Sequence, residues 1–256
     1  MLRIEKVRQD DLSTTATLHR QHLELGLFPQ LGERFMRAYH ASFAASPHAI
    51  ALVARSESGR VVGALFGTTA NARHYRWVVE EHGMNLAVQG TRSLLLQPAL
   101  AWSFISSRAG RYAKGLGRHL GLLGRDDAAV ANAGAGPSCV LSHIVTSKAA
   151  RRLGVGRRLV EEFRRQAHAT GAAEARLVTR EGGPGAPFFE RLGCACVDLR
   201  PSQDGEALRE YSLQLDKTIA DEKPDAARRL RHERRAARPG FRHGWGESAG
   251  AGLRAG

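Results

Sequence analysis

One stretch limits what this chain can fold into more than any other: Arg151-Arg152-Leu153-Gly154-Val155-Gly156-Arg157. A strand-like segment, Val140-Leu141-Ser142-His143-Ile144-Val145-Thr146, precedes it, and a helix-like segment, Arg158 to Arg165, follows. Strand, tight glycine-containing loop and helix, in that order, present backbone N–H groups to a phosphate. Gly154 and Gly156 remove Cβ atoms where ligand and backbone must approach closely. The arginines in and beside the loop add positive charge. These residues point to a phosphorylated cofactor whose pyrophosphate sits at the start of the helix.

The spacing separates this loop from other phosphate loops. A Walker loop needs G-x-x-x-x-G-K-[ST], and no Lys-Ser/Thr pair follows here; a dinucleotide fingerprint needs a third glycine, and that position is Leu159. The pattern that fits is [QR]-x-x-G-x-[GA], filled by Arg151, Gly154 and Gly156. Downstream come a short strand, Glu174 to Thr179, a Gly182-Gly183-Pro184-Gly185 turn, a helix, Ala186 to Gly193, and a further strand, Cys194 to Leu199. The order β–loop–α–β–α–β, with Phe188-Phe189-Glu190-Arg191-Leu192-Gly193-Cys194 about 35 residues after the glycines, resembles the GNAT superfamily of acyl-CoA-dependent N-acyltransferases. The resemblance is strongest over residues 138–215 and extends more weakly over 1–70.

The resemblance implies an α/β fold with a mixed, mostly antiparallel central sheet, flanking helices and a helical insert between the third and fourth strands. It implies an N-acetyltransferase that moves an acetyl group from acetyl-CoA to the primary amine of a small-molecule acceptor by direct attack in a ternary complex, with no metal. The alternative is a noncatalytic acyl-CoA-binding regulatory module. On this resemblance, Ile144, Val145 and Thr146 offer backbone groups to pantetheine, and the amide after a strand bulge polarises the thioester carbonyl. Arg151, Arg152, Leu153, Gly154, Val155, Gly156 and Arg157 wrap the pyrophosphate, and Phe188 contributes to cofactor binding. Many family members carry a Tyr before the E-x-x-G turn as the acid toward the thiolate. That position is Phe189 here, which leaves Tyr211 or a water as substitutes. Many also carry a Glu on the cofactor strand as base, and no carboxylate stands there here. Ser142 is then a candidate to hold a water. His143 is a candidate base, because an unperturbed imidazole titrates near 6.5; strict strand alternation turns it to the wrong face unless a bulge reorients it. His22 and Glu24 lie where acceptor-binding groups often come from in the family.

The rest of the chain supplies the frame. Residues 2–9 alternate as a half-buried strand, and Asp10-Asp11 are placed to cap a helix from Leu12 to Leu23. Leu31 to Ala45 reads as a second helix whose Phe35, Met36, Tyr39 and Phe43 are core at helical spacing. Ile50–Ala54 and Val61–Phe66 read as strands of a hairpin, and Glu206–Leu215 as the last strand. Residues 71–137 exceed a structureless connection and read as a helical insert of two or three helices, ending in a small-residue linker, Ala128 to Pro137. Within it Gly115 to Gly121 imitates a nucleotide fingerprint without the preceding strand. One domain over 1–216 is therefore expected, followed by a basic tail, 217–256, too poor in core residues to fold alone.

Net charge is +13. Only five of the 38 basic residues are Lys, and the tail alone holds ten basic against five acidic residues. A solvated surface accounts for such an excess without a nucleic-acid partner. No apolar run is long enough for a membrane span, and the N-terminus lacks a signal-peptide pattern. Cys139, Cys194 and Cys196 form no zinc pattern and no C-x-x-C, and read as small buried hydrophobes in a reducing cytoplasm. An oligomer is compatible with the sequence but not specified by it.

Overall fold

A computed structural model describes residues 2–23, 26–99, 101–102, 139–201 and 206–216. Glu24, the 103–137 part of the insert with its glycine run and linker, and the 217–256 segment lie outside the described residues. Seven strands form one sheet: β1 (Arg3–Lys6), β2 (Ala49–Arg55), β3 (Val61–Thr68), β4 (Cys139–Thr146), β5 (Glu174–Arg180), β6 (Ala195–Pro201) and β7 (Ala207–Gln214). Their spatial order is β1-β2-β3-β4-β5-β7-β6. Every neighbouring pair is antiparallel except β4–β5. The helices α1 (Leu12–His22), α2 (Gly32–Ala45) and α3 (Asn71–Leu95) fall before β4, and α4 (Val155–His168) and α5 (Gly185–Arg191) after it.

The sheet is covered on both faces, so β2 and β3 are continuous apolar runs rather than alternating ones. On one face α4 lays Val155, Leu159, Val160, Phe163 and Ala167 against Ile50, Leu52 and Leu65. This apolar stripe is what a surface helix needs to dock, and the solvent side carries the Arg157–Glu161 and Glu162–Arg165 pairs at helical spacing. Close approach depends on β3 glycines. A Cβ on Gly67 would overlap the Phe163 ring, and one on Gly63 would press on Val155 and Leu159. On the other face α1 and α2 bring Ala16, Phe35, Met36, Tyr39 and Phe43 against Val53, Phe66 and Val145. The α2 stripe is the one expected from the sequence. Most of the described part of the insert is one long helix, α3, packed on α2, with further helical residues at 98–99 and 101–102.

Two local predictions resolve into specific chemistry. Asp11 does not cap α1 through its side chain. Its carboxylate instead accepts from the Arg8 backbone N–H at 2.9 Å and from Arg55 at 2.6 Å, tying the start of the helix to β2. The Glu190-Arg191-Leu192-Gly193 turn is a C-terminal cap of α5. Gly193 has φ 78°, its N–H donates to the Glu190 carbonyl, and the Cys194 N–H donates to the Phe189 carbonyl at 3.0 Å. Such a cap needs a left-handed residue at that position, which glycine adopts without strain.

Candidate functional site

The parallel pair β4–β5 holds together over two residue pairs only, Cys139↔Ala175 and Val140↔Arg176. Beyond them β4 runs on to Thr146 and β5 to Arg180 without pairing with each other. The centre of the sheet therefore opens into a cleft whose β4 wall is Leu141 to Thr146. On its other edge β4 pairs with β3, Phe66 with His143 and Gly67 with Leu141, so Ser142 is the extra residue of a bulge. The bulge inverts the alternation. Before it, Cys139 and Leu141 face α4; after it, Ile144 packs on that same core, while Val145 joins the α1–α2 core. His143 consequently turns to the α1–α2 side, where its ring meets His19, Tyr39 and Phe43.

A 3-10 turn, Lys148–Ala150, leads from β4 into the glycine loop. Arg151, Arg152, Leu153 and Gly154 are exposed. Arg152 has φ 64° and Gly154 φ 76°, so two left-handed residues bend the chain into α4. For a non-glycine residue this conformation is uncommon. The helical ladder opens with the Arg158 N–H to the Gly154 carbonyl; the amides of Gly154 to Arg157 precede it and stand at the positive end of the helix. Gly156 faces Phe188: a Cβ there would sit 3.1 Å from Phe188 Cζ and 3.9 Å from Ile144 Cδ1. The structure thus brings Ile144 of β4, Gly156 of the loop and Phe188 of α5 to one place.

His22, at the end of α1, lies close enough to the loop to feel it. Its pKa is lowered by partial burial, and further by the Arg151 and Lys148 cations. Tyr211 is placed differently from the other candidates. Its ring is completely buried beside Phe189 in the α4-side core, and its hydroxyl donates to Glu190 at 3.0 Å. Phe189 itself is 4% exposed. Burial pushes the Cys139 thiol up to about 12, which removes it as a nucleophile near neutrality.

Thr15, His19 and His40 were not read from the sequence, and Tyr39 was read only as core. His19 Nδ1 lies 3.1 Å from His40 Nε2, His40 Nδ1 lies 3.0 Å from Thr15 Oγ1, and the Tyr39 hydroxyl lies 3.0 Å from His143 Nε2. His19 and His143 are in ring contact, with centroids 4.8 Å apart. Burial lowers the His19 pKa to about 4 and holds His40 and His143 well below 6.5. These side chains sit at core spacing on α1 and α2, so only the fold shows that they meet at the bulge. Among the described residues no group of three or more His, Cys, Asp or Glu is arranged to hold a metal ion, and none of the described helices is long and apolar enough to cross a membrane.

This architecture is the fold of the GCN5-related N-acetyltransferases. The chain superposes on a GCN5-related N-acetyltransferase from Kribbella flavida with a TM-score of 0.50 and 14% identity, covering 83% of this chain and 97% of that one. It superposes equally on the structure of SsHAT, with a TM-score of 0.50 and 17% identity, covering 84% and 99%. No protein-family profile matches the sequence, and no curated protein matches it significantly.

Proposed function

We propose that the protein is an acyl-CoA-dependent N-acetyltransferase that moves an acetyl group from acetyl-CoA to the primary amine of a small-molecule acceptor. The observation that carries this reading is the cleft between β4 and β5, which opens beside the left-handed Gly154 loop. A sheet parted at its middle exposes unpaired backbone groups on β4, and such groups are costly unless a ligand or water satisfies them. In this reading Ile144, Val145 and Thr146 pair with the pantetheine arm as a strand would. Arg151, Arg152 and Arg157, with the amides of Leu153 to Arg157, hold the pyrophosphate. Phe188, seated on Gly156, closes the side of the channel. Bound acetyl-CoA supplies an activated acetyl group as its thioester.

Direct transfer fits the residues present, since the Cys139 thiol is held protonated by its burial. Most of the rate gain then comes from positioning the amine and from backbone donors at the oxyanion. The amide following the Ser142 bulge is the donor nearest that role, and His143 at the bulge is the candidate proton acceptor. A dedicated acid for the thiolate is not required, because a thiol with a pKa near 8.5 leaves as a tolerable anion. The acceptor reaches the site from the α1–α2 side, where His22 and His143 stand.

The test is thiol release from acetyl-CoA in the presence of amino sugars, amino acids and simple alkylamines. Release that depends on one acceptor class, with the matching N-acetyl product by mass spectrometry, is the expected result. Tight acetyl-CoA binding without release from any amine would favour the noncatalytic module.

A further inference from the structure

Two of the histidines packed near the β4 bulge, His19 and His40, are locked into defined proton positions by a single chain of hydrogen bonds. The Thr15 hydroxyl donates to the Leu12 carbonyl at 3.2 Å. Its one proton is thereby used, so Thr15 Oγ1 can only accept from His40 Nδ1 at 3.0 Å. A neutral imidazole carries one N–H, which leaves His40 Nε2 as a lone pair. His19 Nδ1, 3.1 Å away, must donate to it. The consequence is that His19 Nε2 is bare. The chain is sealed from water, with Thr15 and His40 fully buried and His19 3% exposed, and His40 is stacked on Phe66 with ring centroids 4.1 Å apart. Burial keeps all three imidazoles neutral near pH 7. His19 meets His40 of α2 and His143 of β4. His143 is the partly exposed member, tethered through Nε2 to the Tyr39 hydroxyl.

We propose that His143 and His19 together form the proton acceptor of the transfer site, with His40 and Thr15 as positioning residues that fix which His19 nitrogen is bare and Tyr39 as the tether of the His143 ring. This rests on the acetyl-transfer reading above. The amine nitrogen forms its bond to the acetyl carbon, the carbon–sulfur bond breaks, and its electron pair leaves on sulfur. The surplus proton of the nitrogen passes to His143 Nδ1, the ring nitrogen not tethered to Tyr39, and solvent later returns a proton to the thiolate. His19, with its bare Nε2 and its ring against His143, lies beside the charge, and His143, the partly exposed member, gives the proton up to solvent. A weakly basic imidazole suffices, because the amine nitrogen becomes strongly acidic only once the new bond forms. An acceptor must also be unprotonated at working pH, and burial ensures that.

Proton-detected nitrogen correlation spectra of the full-length protein, labelled at histidine, decide the matter. The expected result at pH 7 is His19 and His40 as Nδ1–H tautomers and His143 with Nδ1 bare. Saturating acetyl-CoA should shift the ring signals of His143 and His19 and leave exposed His168 unmoved. In Thr15→Val the His40 tautomer should be lost, with acetyl-CoA affinity unchanged by calorimetry and with kcat lowered about 100-fold on any amine that supports turnover; Thr15→Ser should restore both. His19 found as the Nε2–H tautomer, or bound acetyl-CoA that leaves both His143 and His19 signals unmoved, would overturn the paired acceptor while leaving the acetyl-CoA reading intact. Failure of the wild-type protein to bind acetyl-CoA would remove the reading beneath it.

Discussion

Acidification from pH 7 to pH 4 is expected to strip the protein of much of its stability, and the histidines at the bulge are the main cause. His19 is pushed from 6.5 to about 4 by burial, and His74, whose Nδ1 is bonded to Ser46, is lowered likewise to about 4. His40 and His143 move in the same direction. A histidine whose folded pKa is depressed binds its proton more readily in the unfolded chain. Stability is therefore intact above about 6.5 and is lost as pH falls through the window toward 4. For His19 alone the shift amounts to ~3 kcal/mol at pH 4 and below. That is a large part of the ~5–15 kcal/mol that holds a domain folded. Urea melts at half-unit intervals between pH 7 and 4 should show a steep fall. In His19→Gln the slope should drop by about one proton. A stability flat from pH 7 to 4.5 would mean that these rings are solvated in the native state.

Replacing Gly154 with Val is expected to weaken acetyl-CoA binding by at least ~100-fold without unfolding the chain. Gly154 has φ 76°, and a Cβ added there meets nothing within 4 Å. Steric overlap is thus not the difficulty; the left-handed backbone is, and a β-branched residue adopts it at a cost of ~1–2 kcal/mol or escapes it. Escape swings the amides at the start of α4 away from the pyrophosphate. Losing two hydrogen bonds to a charged group costs ~3–6 kcal/mol. Asn tolerates the left-handed region, so Gly154→Asn should retain most of the affinity. Calorimetry on both variants, with circular dichroism as the folding control, distinguishes a backbone effect from a general loss of structure. Equal affinity for Val and glycine would separate the loop from the ligand.

The succession of strands along the chain and the glycine turns were legible because they rest on local signals. The apolar runs at 50–54, 61–66 and 140–146 all became strands, and Gly154 and Gly193 both took the left-handed conformations that their positions demand. The insert was less legible. Only His74, Val78 and Gly90 of the 25-residue α3 are buried, so the helix carries little apolar periodicity to read. The bulge at Ser142 was foreseen only as a possibility, since Val140 to Val145 look alike under either register. Its effect on His143 depends on how β3 pairs with β4, which the sequence of β4 alone does not encode. The imidazole cluster was hidden for a related reason. His19, His40 and His143 are 21 and 103 residues apart in succession, and each sits where core spacing accounts for it. Their meeting is a property of the packed sheet and helices, as is the placement of Tyr39, which reads from α2 alone as one more core aromatic.

The central claim is that the loop before α4 and the cleft beside it bind acetyl-CoA. Calorimetric titration of the full-length protein tests this most directly, run once with acetyl-CoA and once with the acetyl thioester of N-acetylcysteamine, which keeps the thioester and lacks the pyrophosphate. The account requires saturable one-to-one binding of acetyl-CoA that weakens with salt, as contacts from Arg151, Arg152 and Arg157 should, and no saturation by the truncated thioester. Absence of acetyl-CoA binding, or equal binding of the two compounds, would contradict it.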